Sequence, residues 1–108
     1  MALLFEQIQL GEVDLKNRFV RAGTYEAMGT KAGEVTEAIL QLYQRLARGE
    51  VGLIITGHVY VHPLGRAVRY QLGIHDDSLV PGLERLTDVV HGEGGRVVIQ
   101  LAHAGRQT

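Results

Sequence analysis

The chain has 108 residues, of which 45% are hydrophobic and 21% charged, with a formal net charge of −1 and no cysteine. This composition excludes intrinsic disorder, disulfides and thiolate metal sites, and it gives no support for binding to nucleic acid or to an anionic membrane surface. No apolar run reaches the roughly 20 residues of a membrane span, and the first residues lack the basic start of a secretory signal, so we expect one cytoplasmic domain with a modest core.

The N-terminal part predicts a hairpin followed by a buried strand. Residues 5–10 and 13–15 alternate apolar and polar side chains on either side of Gly11, which is typical of a short hairpin. Residues 19–21 then begin a first buried strand. A long loop over residues 25–35 follows that strand.

A helix and a second strand come next. Thr36 can cap the start of the helix, and Gly49 is placed to end it as the residue beyond the C-cap. Residues 51–55 form a continuous apolar run, which suits a parallel strand buried on both faces. The predicted buried face of the helix consists of Ile39, Leu40, Leu42, Tyr43, Leu46 and Ala47.

The pattern of strand, loop and helix then repeats. A second long loop covers residues 56–75, and residues 76–78 offer several N-cap candidates for the helix that follows. Pro81 falls in the first helical turn, where its missing N–H costs least. Residues 96–101 form the third strand. The second helix has its apolar face at Leu79, Leu83, Leu86, Val89 and Val90.

This order predicts an α/β protein with a parallel sheet and right-handed crossovers. Such a chain could begin an open sheet or a (β/α)8 barrel. The loops after the first two strands, about 14 and about 20 residues long, exceed usual βα connections and favour a barrel enzyme. A complete barrel needs about 250 residues. A part of this size would leave strand edges unpaired. Pairing of these edges between copies of the chain would give a homo-oligomer, which is a further expectation from the sequence.

A polar cluster closes the chain. Gln100, His103 and Arg106 come directly off the apolar pattern of the third strand. The carboxyl ends of strands are where α/β proteins bind ligands. The sequence therefore predicts a binding site at this end of the sheet.

Four segments carry a resemblance to a known family. They are residues 15–20 (Leu-Lys-Asn-Arg-Phe-Val), 51–56 (Val-Gly-Leu-Ile-Ile-Thr), 63–66 (Pro-Leu-Gly-Arg) and 100–106 (Gln-Leu-Ala-His-Ala-Gly-Arg). In this order the chain resembles the old yellow enzyme-like NADH:flavin oxidoreductases over nearly its whole length. The resemblance implies the N-terminal part of a (β/α)8 TIM barrel, with the hairpin capping its bottom. Residues 1–108 would then be a truncated part of an FMN-dependent domain.

The resemblance also implies cofactor-binding residues. Ala22, Gly23, Thr24 and Tyr25 match the segment that lies against the flavin ring, where small residues let the backbone approach. Gly23 departs from the proline of many relatives. Tyr25 departs from a cysteine, threonine or bulky aromatic residue, and it could instead be a loop aromatic that packs on the first helix.

Two further residues carry over from later strands. His58 matches a small residue whose backbone contacts the flavin pyrimidine edge, and only that backbone contact is implied. Gln100 matches the glutamine whose amide donates to and accepts from the same edge. The alternative for Gln100 is a strand-end amide that bonds the backbone. His103 and Arg106 are expected to support the barrel mouth, and neither is assigned a catalytic role.

Relatives in this family use NAD(P)H to reduce FMN and then pass hydride to a small-molecule electrophilic alkene or enone. Their substrate-holding pair comes from later strands, and a tyrosine proton donor comes from later strands or from near position 27, which is Ala27 here. We therefore assign no catalytic residue within this chain, and we expect it to be inactive alone.

Two alternatives stay open at this point. One is a metal-dependent barrel hydrolase that uses His58, His62 and His103 near strand ends, although no acidic residue follows a strand there. The other is a non-catalytic truncated product or an oligomerising fragment.

Overall fold

Helices and strands alternate along the chain after a short N-terminal hairpin. The computed structural model describes residues 2–107. Its regular elements are helix α1 (Ala2–Phe5), strands β1 (Ile8–Leu10), β2 (Val13–Leu15) and β3 (Val20–Arg21), helix α2 (Glu37–Arg48), strand β4 (Leu53–Tyr60), helix α3 (Val80–Gly92) and strand β5 (Arg96–Ala102).

Two separate sheets organise these elements. Strands β1 and β2 form the predicted antiparallel hairpin, and β3, β4 and β5 form a sheet in that order with both pairs parallel. The α/β fold with a parallel sheet is therefore confirmed. No helix within residues 2–107 is long and apolar enough to cross a membrane.

The core lies between the sheet and the two long helices. Helix α2 packs against α3, and α3 packs against β5. Thr36 caps α2 as predicted, because its hydroxyl oxygen accepts from the N–H of Ile39 at 3.3 Å. The largest buried cluster contains Ile39, Leu40, Tyr43, Ala47, Ile54, Val59, Leu72, Leu86 and Val90.

The N-terminal boundaries differ from the sequence prediction. Residues 2–5 form a helical turn, so the first strand of the hairpin begins at Ile8 rather than at residue 5. Strand β3 is not buried as predicted, because Val20 is 52% exposed. The physical reason is that β3 pairs only with β4 within the described residues. Val98 of β5, on the other side of β4, is 50% exposed because β5 also pairs only with β4 within the described residues.

Strand β4 is longer than the predicted run of residues 51–55. It continues to Tyr60, so the loop predicted from residue 56 begins only after that residue. The sequence prediction ended the strand at residue 55 because the continuous apolar run ends there and Pro63, Gly65 and Gly73 follow it. The strand continues because Val59 and Tyr60 are buried and pair with Leu101 and Ala102 of β5.

The helix ends also need correction. Gly49 is the C-cap of α2 with φ of −75°, and Glu50 takes the left-handed conformation with φ of 73°. Asp76 caps a 3₁₀ turn at Asp77–Leu79 rather than α3, which begins at Val80 without a side-chain cap. The Ser78 hydroxyl and N–H both donate to the Asp76 carboxylate, and these hydrogen bonds lower its pKa.

The left-handed Glu50 gives a stability prediction. Glu50→Gly should raise the free energy of unfolding by about 0.5–1 kcal/mol, because glycine adopts positive φ without a Cβ penalty. The hydrogen bond from Asn17 to the Glu50 carbonyl uses only the backbone at residue 50 and survives the change. Urea denaturation measures the effect. Gly49→Ala is the comparison and should give no gain, because φ at Gly49 is ordinary and a Cβ there would lie 3.3 Å from the Arg45 carbonyl oxygen. A loss of stability in Glu50→Gly would contradict the prediction.

Candidate functional site

An open cleft lies where the three parallel strands end. It has a volume of about 200 Å³ and is lined by Gly23, Tyr25, His58 and Gln100. Gly23 and Tyr25 follow β3, His58 lies within β4, and Gln100 lies within β5. Four of the six predicted cofactor-binding residues therefore share one cleft.

The other two predicted residues lie in the adjoining segment. Ala22 and Thr24 are exposed, and the Thr24 hydroxyl donates to the Ala22 carbonyl at 3.1 Å. This local bond tightens the turn that carries Gly23. The two residues therefore shape the cleft through the backbone without lining it.

Gly23 and Gln100 approach each other closely across the cleft. A Cβ atom on Gly23 would collide with the Gln100 side-chain oxygen and lie 2.9 Å from the Thr56 carbonyl oxygen. The Gln100 N–H donates to the Thr56 hydroxyl at 3.1 Å. The Gln100 side-chain amide forms no hydrogen bond with any residue that the structure describes, so the backbone-bonded alternative for this amide is not what the structure shows.

Tyr25 joins the cleft to the loop that follows β4. Its ring packs edge-on against the His58 imidazole, with the ring centroids 5.7 Å apart and the planes at 72°. Its hydroxyl donates to the Arg69 carbonyl. Tyr25 is therefore held at both ends, by a ring contact and by a hydrogen bond.

A β-bulge in β4 sets the position of His58. Ile55 pairs with Val98 and His58 pairs with Gln100, so β4 contains one more residue than β5 between the two pairs. Bulges of this kind occur next to binding sites, where they redirect side chains. Thr56 and Gly57 thus lie opposite the single residue Ile99, and the shift in register places His58 opposite Gln100 at the cleft.

A largely buried ion pair next to the cleft was not predicted from the sequence. The Arg21 and Glu26 side chains are 16% and 6% exposed, and their charged atoms lie 3.5 Å apart. The Glu26 carboxylate accepts from the Gly57 N–H at 2.9 Å and from the Tyr43 hydroxyl. This carboxylate therefore links the loop after β3 to the bulge of β4 and to helix α2.

Arg21 extends the same network. Its guanidinium donates to the Ile55 carbonyl at 2.8 Å and to the Thr24 carbonyl at 3.2 Å. It also lies over the Tyr43 ring, 5.5 Å from the centroid. Burial, followed by the hydrogen bond to Glu26, raises the pKa of Tyr43 far above its ordinary value. The tyrosine therefore stays protonated as a donor to the carboxylate.

His103 lies in the segment after β5 and packs against the turn after β4. Its imidazole accepts from the Gly105 N–H at 2.9 Å, and its ring occupies the space where a Cβ on Gly65 would lie. The Ala104 N–H donates to the Gly65 carbonyl at 2.8 Å. These contacts hold the segment after β5 against the turn after β4.

The metal-dependent alternative finds no ligand set in the structure. Across residues 2–107, no group of three or more histidine, cysteine, aspartate or glutamate side chains is placed to hold a metal ion. His62 accepts from the Leu64 N–H at 3.1 Å, and His103 accepts from Gly105. The histidine side chains named for that alternative therefore serve local turns or, for His58, the ring contact with Tyr25.

Two loop residues near the site adopt left-handed backbone conformations. Ala27 has φ of 59° and Tyr70 has φ of 68°. Such conformations cost free energy in residues other than glycine and are concentrated near functional sites. The Gly29 N–H donates to the Tyr70 carbonyl at 3.0 Å, so the two strained loops also contact each other.

Comparison with known proteins identifies relatives of the chain. Residues 3–108 match the model of the NADH:flavin oxidoreductase / NADH oxidase family. A curated protein from Desulforamulus reducens, described as a metal reductase, is 38% identical over 106 residues, which cover 98% of this chain and 16% of the relative.

Solved structures show the same arrangement. Morphinone reductase in complex with tetrahydroNAD superposes with a TM-score of 0.89 at 30% identity, covering 100% of this chain and 29% of that one. A complex of 2-naphthoyl-CoA reductase with 2-naphthoyl-CoA gives a TM-score of 0.93 at 29% identity, covering 97% of this chain and 16% of that one. The chain thus spans less than a third of each of these three relatives, and it folds as the N-terminal part of their barrel.

Proposed function

Because the chain belongs to the NADH:flavin oxidoreductase / NADH oxidase family, we propose that it forms the first part of an FMN-dependent NAD(P)H oxidoreductase. The proposed reaction is hydride transfer from NAD(P)H, through the flavin, to a small electrophilic alkene or enone. The observation that supports this best is the cleft in which Gly23, Tyr25, His58 and Gln100 converge at the ends of three parallel strands.

The residues of this cleft fit the edge of a planar ring. Gly23 has no Cβ, which lets the backbone after β3 lie close to the Gln100 amide and keeps both in one cleft. The Gln100 amide has a donor and an acceptor that bond no other described residue, and a pyrimidine edge presents complementary groups. We therefore assign the ring contacts to the backbone of residues 22–25, the His58 backbone and the Gln100 amide.

FMN would supply the acceptor and donor of the hydride, and the protein would orient it. Tyr25 walls one side of the cleft, and its hydroxyl is engaged with the Arg69 carbonyl. Because that proton is already donated, we assign Tyr25 to positioning and not to proton transfer. Ala27 has no proton to donate, so no catalytic residue is proposed within this chain.

We further propose that residues 1–108 are one part of the barrel domain and that the other strands supply the substrate-holding groups. The half-exposed Val20 and Val98 at the two sides of the sheet support this, because strands beside β3 and β5 would cover them. We call a protein that contains this chain together with those strands the complete barrel. A cytoplasmic location is proposed, since NAD(P)H is available there.

The proposed role of Gln100 is tested in the complete barrel. Gln100→Ala should weaken FMN binding by about 1–3 kcal/mol, or roughly fivefold to 150-fold, because a polar edge of the ring loses its partner. Fluorescence titration of the apoprotein with FMN measures the dissociation constant. Gln41→Ala, on the exposed face of α2, is the matched control and should leave it unchanged. Equal affinities in all three proteins would contradict the role of Gln100.

A further inference from the structure

A second and larger cleft lies beside the candidate flavin site. It has a volume of about 460 Å³ and lies between the loop after β3 and the loop after β4. Its volume is within the range of small-molecule sites. Its lining consists of Lys31, Pro63, Arg66, Ala67, Val68 and Arg69.

The cleft is locally basic in a chain whose net charge is −1. Within residues 2–107, none of its three cations forms an ion pair with a carboxylate, whereas Arg21, Arg48 and Arg85 each do. Glu34, in the same loop as Lys31, is hydrogen-bonded to Thr30. The positive charge of the cleft is therefore left without compensation from acidic side chains.

Arg66 is held in place for binding. Its guanidinium lies over the Tyr60 ring, 5.6 Å from the centroid, and its Nε donates to the Val68 carbonyl at 3.1 Å. It also donates to the Lys31 carbonyl, which joins the two loops that form the cleft. A guanidinium fixed in this way loses little conformational entropy when it binds an anion.

Gln71 adds a buried donor next to the cleft. The residue is 1% exposed, and its side-chain oxygen accepts from the Ala67 N–H at 2.8 Å and the Val68 N–H at 3.4 Å. Its Nε2 has no hydrogen-bond partner among the described residues. Gln71 is not itself a lining residue, but its side-chain oxygen holds the backbone of two residues that line the cleft.

The basic cleft and the flavin site are joined through one residue. Tyr25 lines the flavin site, and its hydroxyl donates to the carbonyl of Arg69 in the basic cleft. Both clefts open at the carboxyl ends of the strands. A long ligand whose reactive group lies over the flavin can therefore extend its other end into the basic cleft.

We propose that this cleft binds the pyrophosphate of an extended co-substrate that carries an adenosine diphosphate group. Nicotinamide dinucleotides and coenzyme A thioesters both carry such a group. Arginine binds phosphate oxygens in a bidentate manner, and lysine provides a compact charge. The assignment rests on the proposed function, because it is the flavin site that would place the reactive end of the ligand.

The first test is direct binding of ADP to the complete barrel, with and without FMN, by isothermal titration calorimetry. Lys31→Gln and Arg69→Gln should each weaken ADP binding about fivefold, and more at low salt, because each removes one exposed charge from the phosphates. Arg45→Gln is the matched control, since it removes one charge from the exposed surface of α2. If Lys31→Gln and Arg69→Gln bind ADP with the same affinity as Arg45→Gln and the wild-type protein, the basic cleft does not bind pyrophosphate.

The second test distinguishes the two sources of the pyrophosphate. KM values are measured for the wild-type barrel and for its Lys31→Gln and Arg69→Gln variants. The KM for NADH is measured with an uncharged enone as the electron acceptor. The KM for an unsaturated acyl-CoA is compared with the KM for its N-acetylcysteamine thioester, which has no phosphate. A roughly fivefold rise in KM for NADH alone assigns the cleft to the dinucleotide, and a rise for the acyl-CoA alone assigns it to the thioester. A rise for both assigns it to both in turn. An unchanged KM for both overturns the proposal, and any ADP binding is then adventitious.

The two proposals fail in different ways. A barrel that gains no flavin absorbance on reconstitution refutes the proposed function, but ADP titration of the same apoprotein still tests the cleft. A barrel that binds FMN and shows the same ADP affinity in Arg69→Gln and Arg45→Gln keeps the flavin site and refutes the basic cleft.

Discussion

Glu26→Ala is expected to lower the free energy of unfolding by about 3–5 kcal/mol, because it leaves a buried cation without its partner. The change removes the acceptor of the Tyr43 hydroxyl and of the Gly57 N–H, and it leaves the Arg21 guanidinium without a counter-charge. Urea denaturation followed by circular dichroism measures the loss.

Glu37→Ala is the matched control for this prediction. Glu37 also pairs with an arginine, but the Arg85 and Glu37 side chains are 59% and 70% exposed. An exposed pair contributes only about 0.2–1 kcal/mol, since water solvates both charges in its absence. Similar losses in Glu26→Ala and Glu37→Ala would show that the Arg21–Glu26 pair is not buried in solution.

Gly57→Ala is expected to destabilise the protein by about 3 kcal/mol through overpacking at the bulge of β4. A Cβ atom on Gly57 would lie 2.5 Å from a Glu26 carboxylate oxygen and 2.6 Å from the Thr24 carbonyl oxygen. The second of these atoms belongs to the backbone and cannot rotate away. The substitution must therefore move the loop after β3, and with it the segment assigned to the flavin ring.

Gly92→Ala separates this steric effect from the general effect of replacing glycine. Gly92 is the last residue of α3, and a Cβ there would meet nothing within 4 Å. Its replacement should be neutral or stabilise the helix by up to about 1 kcal/mol.

The double variant that combines Gly57→Ala with Glu26→Gln tests whether Gly57 and Glu26 interact, because contacting residues give non-additive changes. Strict additivity would contradict the contact.

Periodicity and capping were enough to predict the alternation of helices and strands. The apolar face of α2 is wide and regular, and Thr36 caps it as its position suggested. The end of the same helix was misassigned, because glycine usually takes the left-handed position. Here the neighbouring Glu50 takes it, with its carbonyl held by Asn17. That choice is made by a tertiary hydrogen bond, which local sequence does not reveal.

The bulge explains why the length of β4 was underestimated. A threonine and a glycine after a run of apolar residues are typical of a strand end. In the fold, Thr56 is buried and its hydroxyl accepts from the Gln100 N–H of the adjacent strand. The polar residue is thus satisfied by a partner 44 positions away, and the strand continues.

The candidate site was predictable only in part. Gln100 drew attention because a polar amide followed an apolar strand, and the family resemblance supplied the other residues. Glu26 gave no such signal, since a single acid in a glycine-rich loop is ordinarily exposed. Its role depends on Arg21, Tyr43 and Gly57, which three different elements bring together. A buried ion pair assembled by topology leaves no pattern within any one segment.

The hydrogen bonds around the site also bear on the order of events in folding. The Glu26–Gly57, Thr56–Gln100 and Tyr25–Arg69 bonds span 31, 44 and 44 residues. Each can form only after a long loop has closed, and the entropy of that closure is lost before the contact stabilises anything. The helices can form from local interactions, but the cleft cannot precede the pairing of β3, β4 and β5. The cleft at the ends of β3, β4 and β5 can therefore bind a ligand only after the sheet has formed. A ligand for this cleft binds only those chains in which the three strands have paired.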